Sequence, residues 1–125
     1  MTEDNLINEK ALSFALRIYK LSNYLKDKKE YSLADQILRS GTSIGANLAE
    51  CLSAESTDDY IHKLAIARKE GNETVFWLKL QRRAGLLDEA LFISLKNDCD
   101  ELLRMMSATM TTLKKKRQEA RSQNI

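Results

Sequence analysis

Residues 31–50, YSLADQILRSGTSIGANLAE, carry two glycines four positions apart inside a stretch that otherwise reads as one helix. At about 100° per residue, Leu33, Ile37, Gly41, Ile44, Leu48 and Leu52 share a face, and Gly41 and Gly45 stack one turn above the other. A glycine inside a helix is less favourable than alanine by about 1 kcal/mol. Two of them on or beside an apolar face point to close approach of another helix to bare backbone. No strand precedes them, so a phosphate-cradling loop does not fit. The segment therefore calls for a helical partner, and Gly41 and Gly45 are the expected points of close helix packing.

The rest of the chain supplies such partners. It has no proline in 125 residues, and 43% of it is hydrophobic against 30% charged, which suits one mostly helical domain. Ile7, Ala11, Phe14, Ile18, Leu21 and Leu25 alternate spacings of four and three, a seam for bundle packing. A third seam runs through Tyr60, Leu64, Ala67, Gly71, Val75 and Leu78. A fourth runs through Leu91, Leu95, Cys99, Leu102, Met106, Met110 and Leu113. The predicted helices span 8–26, 31–52, 57–83 and 88–116. Ser56 with Asp59 forms the start signal of the third, Gly85 after Arg82 and Arg83 its stop, and Asp88 the cap of the fourth. Short links make this an all-α, antiparallel up-down-up-down four-helix bundle filling residues 1–125 as a single domain. The basic tail 114–125 is expected to begin as helix and then fray.

A bundle has one interior, yet the first and third helices each show a second apolar stripe. Leu12, Leu16 and Tyr19 lie away from Phe14, and Ile66, Trp77 and Leu80 lie away from Val75. Thr42, Ala46, Ala49 and Ser53 give the second helix a small-residue back. These stripes imply a homo-oligomer, with Glu70 and Glu73, beside Trp77, expected to meet a basic residue across a subunit contact.

Catalytic chemistry finds little footing. His62, the single histidine, has no ligand partners at helical spacing. The bundle di-metal pattern of Glu-x-x-His is absent. Ser40, Thr42, Ser43 and Ser53 have no histidine to activate them. Cys51 and Cys99 lie on apolar faces and read as buried free thiols of a reducing compartment. The expectation is a non-enzymatic protein without cofactor or metal. The first residues are not a signal peptide and no apolar run approaches the roughly 20 residues of a membrane span, so a cytoplasmic location with no membrane contact is expected.

Net charge is only +2, but residues 114–125 alone carry +4. Lys114, Lys115, Lys116 and Arg117 form one basic run, and Lys79, Arg82 and Arg83 form another. Both are candidate nucleic-acid contacts once copies assemble. No aromatic residue interleaves with the basic run, so base stacking of the single-strand kind is not indicated and contact through phosphates is expected. A purely structural or protein-binding oligomer is the alternative.

Three segments resemble a known family: SFALRIYKLSNYL, LADQILRSGTSIGANLAE and AESTDDYIHKLAIARKEGNETVFWLKL. They are similar to signature segments of four-helix bundle proteins encoded within 23S rRNA intervening sequences. In the middle segment Gln36, Arg39, Ser40, Ser43, Ile44, Asn47 and Glu50 stand at family positions. Ser56, Asp59, Lys63, Leu64, Lys69, Glu70, Glu73, Thr74, Trp77 and Leu78 match in the third. The resemblance covers about residues 6 to 113. It implies an all-α ring-shaped homopentamer. Through a related branch, the accessory proteins of diversity-generating retroelements, it also implies association with RNA or DNA and with a partner protein such as a reverse transcriptase.

Overall fold

A computed structural model describes residues 2–123 of the chain. Four helices follow one another: α1 (Glu3–Asp27), α2 (Tyr31–Cys51), α3 (Thr57–Arg83) and α4 (Glu89–Gln123). Each packs against its neighbour in sequence, and α4 closes back on α1 more sparingly. The result is an antiparallel four-helix bundle with α1 and α3 on one diagonal and α2 and α4 on the other.

Local chemistry sets the boundaries. The Ser56 hydroxyl accepts from the Asp59 N–H (3.0 Å), while the Asp59 carboxylate accepts from the N–H of Glu55, one residue ahead of the cap. Asp88 accepts from the Leu91 N–H at 2.8 Å and starts α4. Gly85, with φ +77°, ends the turn after α3, and Leu86 N–H returns to the Gln81 carbonyl. Both are the end-satisfaction that helix termini require.

Two helices are longer than expected. α1 begins at Glu3 rather than near residue 8, because Thr2 caps it by accepting from the Asn5 N–H. Tyr60 Oη also donates to Asp4 and ties that first turn to α3. α4 runs past 116 to Gln123, so the expected fraying is not found over those residues. Arg117 Nη1 bonds Asp58 Oδ1 at 2.7 Å, and Arg121 reaches the same carboxylate at 3.5 Å. Helical side chains lean toward their own N-terminus, which is how α4 overshoots the bundle while its arginines reach back. Residues 124 and 125, the end of the expected basic tail, lie outside the described residues.

The α1 seam is buried along its whole length, with Ile18 and Leu25 fully enclosed. On α4, Leu95, Cys99, Leu102, Met106 and Met110 are buried, whereas Leu91 is exposed where the α1–α4 seam opens. Leu52 is also exposed, because α2 stops at Cys51 and that thiol turns inward instead. Of the expected α3 seam, Leu64, Ala67, Gly71 and Leu78 are buried and Tyr60 and Val75 only partly so, while Ile61, Thr74 and Gln81 complete the buried face. Counting apolar residues alone skips the two polar members.

The two glycines of α2 differ. A Cβ on Gly41 would lie 2.7 Å from Ile18 Cγ2 and 2.9 Å from Cγ1, so α1 sits directly on bare backbone there. A Cβ on Gly45 would meet Ala11 Cβ at 3.6 Å, an ordinary contact. Gly45 also faces α1, with the Ala11 backbone carbonyl 3.7 Å from such a Cβ, but there the small neighbour leaves room for a methyl group.

Candidate functional site

The apolar stripes stay on the surface. Leu12, Leu16 and Tyr19 are 65%, 54% and 52% exposed on the outside of α1. On α3, Leu80 is exposed, whereas Ile66 and Trp77 are half-buried. Sequence spacing missed Phe76, which is 57% exposed and stands edge-on to Trp77 with ring centroids 5.1 Å apart. Its position four before Leu80 was the available signal.

Glu70 and Glu73 meet a cation of their own chain. Arg39 of α2 bridges both, with Nη1 to Glu70 Oε2 at 3.1 Å and Nη2 to Glu73 Oε1. Trp77 Nε1 then donates to Glu73 Oε1 at 3.3 Å. The hydrogen bond from Arg39 holds the Glu73 carboxyl below its ordinary pKa, and Glu73 in turn raises that of Arg39. Within the chain these groups form a clamp that orients the indole from α2. Behind it the Thr74 and Ser40 hydroxyls meet at 3.0 Å in the core.

The basic groups divide by end. In an antiparallel bundle, Lys79, Arg82 and Arg83 stand at the end that carries the α1–α2 and α3–α4 turns. Lys114–Arg117 stand at the opposite end, beside the start of α3, roughly 30–40 Å away. Arg82 is half-buried and donates to the Leu87 carbonyl at 3.1 Å, bracing the α3–α4 turn. Arg117 is held by Asp58, whose carboxyl is pushed below its ordinary value by that hydrogen bond. Both arginines are therefore structural ties rather than free cations. Lys79, Arg83, Lys114, Lys115 and Lys116 are exposed and have no ion pair among the described residues. The first end also gathers Lys26 from the last turn of α1 and Lys28 and Lys29 from the α1–α2 turn.

At that end an open hollow of about 440 Å³ lies between α1 and the start of α4. Leu21, Leu86, Leu87, Leu91 and Leu95 line it, with Arg17, Lys20, Tyr24 and Asp88 at its edge. Farther along the same seam Arg17 pairs with Asp98, and Lys10 with Glu101 at 2.7 Å.

The remaining chemistry is quiet. Burial pushes the Cys51 thiol up to about 11 and the Cys99 thiol up to about 12, so both stay protonated at neutral pH. His62 is exposed. Among the described residues no three His, Cys, Asp or Glu side chains gather as metal ligands, and no helix is long and apolar enough to cross a membrane.

Comparison with known proteins adds the lineage. The family model described as 23S rRNA-intervening sequence protein matches residues 3–108. A crystal structure of a protein of unknown function from the S23 ribosomal protein family of Bacteroides thetaiotaomicron superposes with TM-score 0.86. It is 41% identical, over 88% of this chain and 99% of that one. The search of curated proteins finds no match.

Proposed function

The chain belongs to the 23S rRNA-intervening sequence protein family, and on that premise we propose that it is a non-enzymatic, self-associating cytoplasmic scaffold that holds RNA, or a related nucleic acid, by its phosphates. One observation supports this most: the exposed lysines and Arg83 at both bundle ends form no ion pair with an acidic side chain among the described residues. A single copy offers few phosphate contacts. Copies joined through the α1 stripe and the Phe76–Leu80 face of α3 would repeat each cluster around an axis, and counterion release scales with the number of phosphates met. A ring suits this arrangement, the pentamer being the size implied by the sequence resemblance.

The second reading is a scaffold that binds only protein. It is favoured by Arg82 and Arg117, which the fold uses internally. Titration of labelled RNA and DNA at low and at physiological salt separates the two. The nucleic-acid scaffold binds at low salt, weakens steeply as salt rises, and loses part of its affinity when the chain is cut after Leu113. No binding at low salt leaves the protein scaffold.

A further inference from the structure

We propose that the hollow between α1 and the start of α4 is a single-strand nucleotide site, in which one base stacks on Tyr24 and its flanking phosphates meet Lys20 and Lys28. This rests on the nucleic-acid role above and assigns it a place. Lys20, Tyr24 and Lys28 are spaced four apart, so they form one stripe along α1. The two lysines are roughly 12 Å apart along the axis, one on each side of the ring.

Both lysines lack an ion pair among the described residues, and Tyr24 is exposed between them. Lys28 Nζ stands over the Tyr24 ring, 5.0 Å from its centroid. That ammonium covers one face of the ring, and an incoming base stacking there would displace it toward a phosphate. Beside the ring, the leucine-lined hollow of about 440 Å³ offers an apolar floor to the base's other edge.

The neighbouring charges fit an anionic strand carrying polar bases. Arg17 is already neutralised by Asp98 and hydrogen-bonded to Ser94, so it adds little free charge. Asp88 is the acidic group on the rim. One of its oxygens accepts from the Leu91 N–H, leaving acceptor capacity for an exocyclic base amine. Lys79 and Arg83 extend the positive surface around the same end. An apolar peptide would use the leucines and leave two lysines idle, and a carboxylate with an acyl chain would need one lysine and no ring. Aromatic ring, paired cations and hollow together select a nucleotide strand. By the same spacing of four, Lys20 follows Leu16 and borders the self-association face, whereas Tyr24 lies roughly 120° around α1 from Leu12 and nearer the helix end.

The test uses full-length protein and a 5-iodouridine-substituted single-stranded RNA, with cross-links mapped by mass spectrometry and affinity read by fluorescence anisotropy. The cross-link is expected at Tyr24 rather than at the exposed Tyr19, Tyr31 or Phe76. Tyr24→Ala should weaken binding roughly tenfold with an unchanged salt slope, and Tyr24→Phe should retain it. Lys20→Gln with Lys28→Gln should lower the salt slope by about 2. If the intact protein binds no RNA at low salt, the nucleic-acid role fails and this site with it. If it binds but Tyr24→Ala binds equally well, with circular dichroism unchanged, the role stands and this site is wrong. A Leu91→Glu variant that alters sedimentation but not RNA affinity would put a second copy in the hollow and overturn the assignment.

Discussion

Gly41 and Gly45 look alike in sequence and separate on the distance to α1. At Gly41 a methyl group meets Ile18, a fully buried, β-branched side chain with little freedom to move. Gly41→Ala should therefore lower stability by about 1–3 kcal/mol through overpacking, outweighing a helix-propensity gain of about 1 kcal/mol. Gly45→Ala should raise stability by up to about 1 kcal/mol, since only ordinary contact with Ala11 follows. Thermal melts of the two variants should shift in opposite directions, and equal shifts would refute the distinction. Gln81 offers a second contrast. It is fully buried, and neither its Oε1 nor its Nε2 has a hydrogen-bond partner. An unpaired buried amide costs about 1–3 kcal/mol, so Gln81→Leu, of similar size, should raise the melting temperature; a fall would mean that the amide is satisfied in solution.

At the scale of elements, α4 shows how a charged tail can be helical. Its last turns are held by one carboxylate, Asp58, bonded to both Arg117 and Arg121. The folded-state pKa of Asp58 is depressed, first by the hydrogen bond from Arg117. Its contribution is therefore complete above the unfolded value, about 3.9, and is lost as pH falls through the lower folded value. Protection of the amides of residues 114–123, relative to their intrinsic exchange rate at each pH, should fall over that acid range, and Asp58→Asn should show low protection already at neutral pH. Tail exchange that ignores both changes would dissociate the helix from the clasp. The clasp also explains what the sequence could reveal. The four seams and the Ser56, Gly85 and Asp88 signals are local, so periodicity and capping chemistry found them. Asp58 and Arg117 are 59 positions apart, and Arg39 is 31 from Glu70. Such pairs depend on how helices rotate against each other, which no local spacing records. The hollow beside Tyr24 was illegible for the same reason: it exists because α1 and α4 meet sparingly near the α3–α4 turn.

For the whole molecule, the decisive feature is that its two apolar faces are unlike. Leu12, Leu16 and Tyr19 sit on α1, and Phe76, Trp77 and Leu80 on α3, the diagonal helix. A two-fold dimer joins a patch to itself and would leave the other face bare on each copy. Joining the α1 stripe of one copy to the α3 face of the next uses both, and a head-to-tail contact of this kind closes into a ring when its rotation permits. Leu16→Glu spoils the first face and keeps the second, while Phe76→Glu does the reverse. Each variant alone should sediment as a monomer, because every contact needs one face of each kind. Mixed in equal amounts, the two should form a one-to-one dimer and nothing larger: the intact α1 stripe of the Phe76→Glu copy meets the intact α3 face of the Leu16→Glu copy, and the two remaining faces are both charged. If the Phe76→Glu protein still dimerises by itself, the contact is α1 against α1 and the head-to-tail arrangement is excluded.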